Sequence, residues 1–154
     1  MKPAGPGSSP LETHLGYRLR RVSNRISGAF ALALLGEGVS VAEWVALRFI
    51  RDRKRMASSQ VAEAAGLTRG AMSKVLEKLE DKTLVTRTVD RRDSRVQWLT
   101  LTPKGAALVP RLAAIADQND EHFFGCLNPD ERAVLGSLLK KLTDYHQLRG
   151  VPLE

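Results

Sequence analysis

Apolar residues recur along this chain first at helical spacing, then in a strand pattern, then at helical spacing again. Leu11, Leu15, Leu19, Val22, Ile26, Phe30 and Ala33 step by three or four, the period of one helical face. They predict a first helix over residues 11–36, ended by Gly36 and Gly38. Ser40-Val-Ala-Glu43 reads as a capping box that opens a second helix at Val41, with Trp44, Leu47 and Ile50 on one side. The basic run 51–55 breaks that pattern and reads as a solvated helix end. Ser58 is expected to cap a short third helix stopped by Gly66. Thr68 is expected to cap a fourth, with Met72, Val75, Leu76 and Leu79 facing inward. After Lys82 the period changes: 84–89 and 96–102 are rich in β-branched residues, and the polar stretch 90–95 between them predicts a hairpin. Thr102-Pro103 begins a long helix, and Asn128-Pro-Asp-Glu131 is a second capping box before the last one.

Residues 58–79 have helix-turn-helix geometry. Ala62 is small where two helices would cross, Gly66 falls where the turn needs a positive φ, and Leu67 plugs the corner. Any αα-hairpin shares this spacing. The hairpin that follows has the position of a wing, and its tip carries Arg91, Arg92 and Arg95. Arginine there suits the narrow, electronegative minor groove, whereas the bland reading is a solvated β-turn. Asp90 and Asp93 are expected to stabilise the wing, one of them by pairing with an arginine. The fold class is therefore mainly α with a small two- or three-stranded β-wing, a winged helix-turn-helix between flanking helices.

Composition narrows the function. The 154 residues make one domain, 43% hydrophobic and 27% charged, with a single cysteine that excludes an intrachain disulfide. The longest apolar run, 29–35, is too short to span a bilayer, and the first ten residues lack the apolar core of a signal peptide. The expectation is a soluble cytoplasmic chain with no membrane partner. The formal charge is +7, and it is localised. Residues 48–104 hold 14 Lys/Arg against 7 Asp/Glu, while the remainder holds 10 of each. A central basic block between balanced flanks is an electrostatic footprint for polyphosphate.

The helix Gly66-Leu-Thr-Arg-Gly-Ala-Met-Ser-Lys-Val-Leu-Glu-Lys-Leu-Glu80, the wing Asp90-x-Arg92-x-x-Arg95 and Leu99-Thr-Leu-Thr-Pro-Lys-Gly105 together resemble the MarR family of winged-helix transcription regulators. The order of elements matches over 11–147. The resemblance implies a homodimer joined through 11–36 and 103–147, with a winged helix-turn-helix over 40–102 (helix-turn-helix 58–81, wing 84–102). Tails would occupy 1–10 and 148–154. It also implies repression at a pseudo-palindromic double-stranded DNA operator and control by a small aromatic or anionic effector. Two departures stand out: Gly70 where members often carry Ser or Pro, and Lys82-Thr83 in place of Lys-Gly, which leaves the helix end without its glycine.

Chemistry assigns expected roles. Arg69, Ser73 and Lys74 lie near the exposed start of the recognition helix, where Arg69 is suited to a guanine and the other two to a base or a phosphate. Ser59, Thr68 and Lys78 are better placed for phosphate. Gly70 either lets the backbone approach DNA or merely weakens the helix. His14, Arg18, Trp44 and Arg48 are candidate effector-pocket residues, with Trp44 equally readable as core. His122 and Cys126 share a helical face, but no further ligand is evident, so no metal and no cofactor is expected. No catalytic motif is present, and the chain does not read as an enzyme. The rival readings are an architectural protein coating DNA without sequence preference and a winged-helix module that binds protein.

Overall fold

Helix α1 (Leu15–Gly36) is preceded by a 3-10 turn, Leu11–Thr13, so the first helix begins four residues later than its apolar spacing predicts. His14 has extended backbone at that junction and cannot lie within the helix. The computed structural model describes residues 10–150 and Leu153; residues 1–9 of the expected N-terminal tail, and 151, 152 and 154 of the C-terminal one, lie outside the described residues. Gly38, at φ 74°, turns the chain into α2 (Val41–Arg53). The Ser40 box forms as read: Glu43 N donates to Ser40 Oγ at 3.2 Å and Ser40 N donates to Glu43 Oε2 at 2.8 Å.

Strand β1 (Met56–Ala57) leads directly into α3 (Ser58–Ala65), and Gly66 turns at φ 70°. Ser58 is therefore the first helical residue and not the cap. The pairing of Ala57 with Trp98 sets the boundary one residue earlier, and Ala57 N donates to Gln60 Oε1 at 2.9 Å. Helix α4 (Arg69–Asp81) is capped by Thr68, whose Oγ1 accepts from Ala71 N at 3.1 Å. Strands β2 (Val85–Val89) and β3 (Gln97–Leu101) form the hairpin, and β1 adds to it in the order β1-β3-β2, all antiparallel. Helix α5 (Pro103–Phe124) starts at the Thr102 cap, and α6 (Pro129–Tyr145) at the Asn128 box.

The core lies within the middle of the chain. Leu47, Ile50, Val61, Met72, Leu76, Leu79 and Leu99 are fully buried, drawn from α2, α3, α4 and β3. Burial of each large side chain contributes about 1.5–3 kcal/mol. Gly105 shows why the start of α5 tolerates no side chain: a Cβ there would meet the Leu84 carbonyl oxygen at 2.1 Å. That approach seats α5 on the hairpin's base. Leu34, Val109 and Leu112 join the flanking helices to the same core. Among the described residues no single helix is long and apolar enough to cross a membrane.

Candidate nucleic-acid interface

The sequence of α4 divides its surface into three strips. Met72, Leu76 and Leu79 face the core. At 100° per residue, Arg69 and Ser73 flank that strip on one side, Gly70, Lys74 and Glu77 point outward, and Lys78 lies on the far side from Arg69. Arg69, Gly70, Lys74 and Lys78 are exposed and Ser73 is half-buried. Nothing lies within 4 Å of a Cβ built at Gly70, so internal packing does not require glycine there. Glu77 and Asp81 put negative charge on the outward face of the later turns. On that outward face a polyanion would therefore meet a cation only at Lys74, with Arg69 and Lys78 at its two sides.

Between α4 and the wing lies an open concavity of about 400 Å³. Arg69, Arg87 and Arg95, with the hydroxyl side chains of Ser58, Ser59 and Ser73, line it beside Gln97, and no carboxylate among the described residues does. Ser59 thus joins Arg69, Ser73 and Arg95 in one place. Thr68 and Lys78 stand outside it, Thr68 because its hydroxyl caps α4.

The wing tip is organised by its two aspartates. Asp90 Oδ1 accepts from the backbone N–H of Arg92 at 2.8 Å and of Asp93 at 3.0 Å, while Oδ2 accepts from Trp98 Nε1 at 2.8 Å. The Trp98 bond first, then the two backbone bonds, hold the Asp90 carboxyl below the usual aspartate range. Asp93 grips Arg95 through both oxygens at 3.0 Å and accepts from its backbone N–H. That contact lowers the Asp93 pKa and raises that of Arg95. Arg95 nevertheless remains 89% exposed. Arg91 and Arg92 are exposed, and neither is in an ion pair among the described residues.

Three supporting residues escaped the sequence reading. Arg87 on β2 places Nη2 2.7 Å from Glu80 Oε2, close but without hydrogen-bond alignment, and donates through Nη1 to Gln97 Oε1 at 2.9 Å. It joins α4 to the wing. Trp98 and Arg55 meet at the opposite edge, the guanidinium 4.1 Å from the ring centroid. No local pattern in the sequence reveals that these two residues meet.

A second cavity, of about 510 Å³, opens between α1, α2 and α5. Phe30, Val41 and Trp44 supply its apolar wall, and Asn24, Ser27, Asn119 and Asp120 its polar groups. Of the four candidate pocket residues only Trp44 lines it. His14 and Arg18 lie too near the start of α1, with Arg18 Nε bonded to the Glu12 carbonyl. Arg48 pairs with Asp52 at 3.1 Å on the exposed face of α2. His122 and Cys126 are exposed, and no group of three metal-ligating side chains occurs among the described residues.

A helix-turn-helix, a three-stranded sheet and a cationic tip following directly on the second helix define a winged-helix DNA-binding regulator. The MarR family model matches residues 37–96. The HTH-type transcriptional repressor Rv2887 of Mycobacterium tuberculosis is 32% identical over 128 residues, 83% of this chain and 92% of that protein. The structure of BpsR of Bordetella bronchiseptica, whose DNA binding is regulated by 6-hydroxynicotinic acid, has a TM-score of 0.77 at 30% identity. The match covers 90% of this chain and 99% of BpsR. MarR of Escherichia coli complexed with operator DNA shares the fold, with a TM-score of 0.75 at 22% identity over 88% of this chain and 99% of that one. The chain belongs to the MarR family of transcriptional regulators.

Proposed function

We propose that this protein is a homodimeric, sequence-specific repressor that binds a pseudo-palindromic double-stranded DNA operator. The carboxylate-free concavity between α4 and the wing carries the reading: cations on both its rims leave a passage for one sugar-phosphate strand. In this arrangement Arg69, Ser73 and Lys74 enter the major groove. Arg91 and Arg92 reach the adjoining minor groove, and Ser59, Thr68, Lys78 and Arg95 hold phosphates. Gly70 gives the backbone close access. Two copies joined through residues 11–36 and 103–147 would present two such helices to successive grooves, about 34 Å apart.

The cavity beside Trp44 suits a small planar aromatic effector, a reading supported by the ligand regulation of BpsR. Asn24, Ser27 and Asn119 offer it hydrogen bonds. Among the described residues no Lys or Arg lines this cavity and Asp120 does, so a carboxylate on the effector would need a cation from a second copy. Such a ligand relieves repression only by favouring the dimer whose recognition helices are wrongly spaced.

Selection of bound duplexes from a random DNA pool tests the reading. A two-fold symmetric consensus with half-sites about 10 base pairs apart is expected. Binding without preference would establish an architectural protein, and no binding even at low salt a protein-interaction module. On the selected duplex, Arg92→Ala is expected to cost about 1–3 kcal/mol with the fold and dimer intact.

A further inference from the structure

Beside the β1 pairing and the core packing of Val85 and Leu99, two arginine side-chain contacts join the wing to the rest of its lobe. Arg87 and Glu80 join β2 to α4. The other runs through Trp98, a half-buried residue whose backbone pairs with Ala57 on one side and Thr88 on the other. One end of this contact is Arg55. Its position follows from Lys54, which ends α2 at φ 62°, a left-handed conformation that an L residue adopts only at a cost. The turn lays the Arg55 guanidinium over the indole face. The other end is Asp90, which has no spare oxygen: one oxygen fixes the backbone of Arg92 and Asp93, the other is held by the indole N–H.

We propose that Trp98 is a positioning residue for DNA binding: bridging Arg55 and Asp90, the indole sets the direction in which the wing tip presents Arg92. This inference rests on the reading of the tip arginines as DNA contacts. The geometry favours it over a space-filling role. The Nε1–H is aimed at a carboxylate oxygen, and that same carboxylate writes the turn from which Arg92 projects. A tip already set before DNA arrives loses less conformational freedom on binding. Arg55, 4.1 Å from the ring centroid, serves in this scheme as a brace for the wing.

The test is a double-mutant cycle on the selected operator duplex, read by fluorescence anisotropy, with Trp98→Phe, Arg92→Ala and their combination. Phe keeps an aromatic face and removes the N–H. We expect Trp98→Phe to weaken binding about tenfold with its melting temperature within a few degrees of wild type. In the Arg92→Ala background it should cost no more than about twofold, because the brace acts through the tip. Losses that multiply would overturn the proposal, as would binding within twofold of wild type for Trp98→Phe when Arg92→Ala is impaired. If Arg92→Ala itself binds as wild type, the assignment of the tip fails and the brace with it. Should Trp98→Phe not fold, Arg55→Gln takes its place under the same criterion, since Arg55 is exposed and a lost phosphate contact of its own would add to the Arg92→Ala loss.

Discussion

The winged-helix lobe and the helices that flank it differ in how much of their apolar surface one chain can bury. Among the described residues, sixteen of the nineteen buried apolar ones lie from Val39 to Leu99. Ion pairs also form within the lobe, Lys82 with Glu43, Arg87 with Glu80 and Arg95 with Asp93, although the lobe keeps the chain's excess positive charge. The flanks differ in their apolar surface. Every large apolar side chain that is exposed, Val89 excepted, belongs to them, including Leu15 at 81% and Tyr145 at 80%. Helix α6 runs for 17 residues and buries none. An apolar surface of this kind marks an interaction site. One region has a complete core. The other has half of one, which a second copy would complete.

The largest effect should come from attacking the incomplete half. Replacing both Leu138 and Leu142 by Asp puts four carboxylates per dimer into the proposed interface. Each lost leucine forfeits about 1.5–3 kcal/mol of burial before charge repulsion is added. Sedimentation is expected to report a monomer, and operator affinity to fall more than about a hundredfold as bivalency is lost. Circular dichroism should still show a folded lobe. A variant that stays dimeric would remove α6 from the interface, and one that unfolds entirely would contradict the lobe's self-sufficiency.

A smaller effect should follow from disturbing the lobe itself. Glu43 is 2% exposed, and Lys82 Nζ meets both its oxygens at 2.8 Å while donating to the Gly38 carbonyl at 2.8 Å. Lys82→Met leaves a buried carboxylate without its counter-charge. Water reaching the 39%-exposed lysine site would offset part of this, so a loss of about 1–3 kcal/mol in urea unfolding is expected. The same loss should appear in the monomeric Leu138/Leu142 variant. If it appears only in the dimer, the lobe's stability depends on the flanks.

What was legible in the chain follows the range of the interactions. Ser40, Thr102 and Asn128 were readable because a cap is a contact between a side chain and a backbone three residues away. Gly66 was readable because a left-handed turn singles out glycine. Strand β1 was not, because two residues carry no period and exist as a strand only through pairing with β3, some forty residues later. The same holds for the Glu43–Lys82 pair, for Trp98 over Arg55, and for Glu80 with Arg87. The effector candidates show a different limit. Helix α1 carries arginines on several sides, so its period could not reveal that the cavity opens against its middle, at Asn24 and Phe30, and not at His14 and Arg18.

The smallest predicted effect concerns the departure at Lys82-Thr83, and it has the opposite sign. The end of α4 closes as a Schellman turn: Leu84 N donates to the Leu79 carbonyl at 2.9 Å and Thr83 N to that of Glu80 at 2.8 Å. This closure demands a left-handed residue at position 83, and Thr83 adopts φ 56° despite its branched Cβ. Its hydroxyl recovers little, donating to the Lys82 carbonyl and accepting from Lys104 Nζ at 3.4 Å, both in exposed positions. Thr83→Gly removes a steric cost of about 1–2 kcal/mol and adds back up to about 1 kcal/mol of unfolded-state entropy. The net expectation is a gain of about 0.5–1 kcal/mol, with operator affinity unchanged because the turn faces away from the wing tip. Thermal unfolding of the variant at fixed protein concentration decides it. A midpoint at or below wild type would mean that the contact of the Thr83 hydroxyl with Lys104 outweighs the backbone strain, and the gain should persist in the monomeric background if the lobe folds independently of its partner.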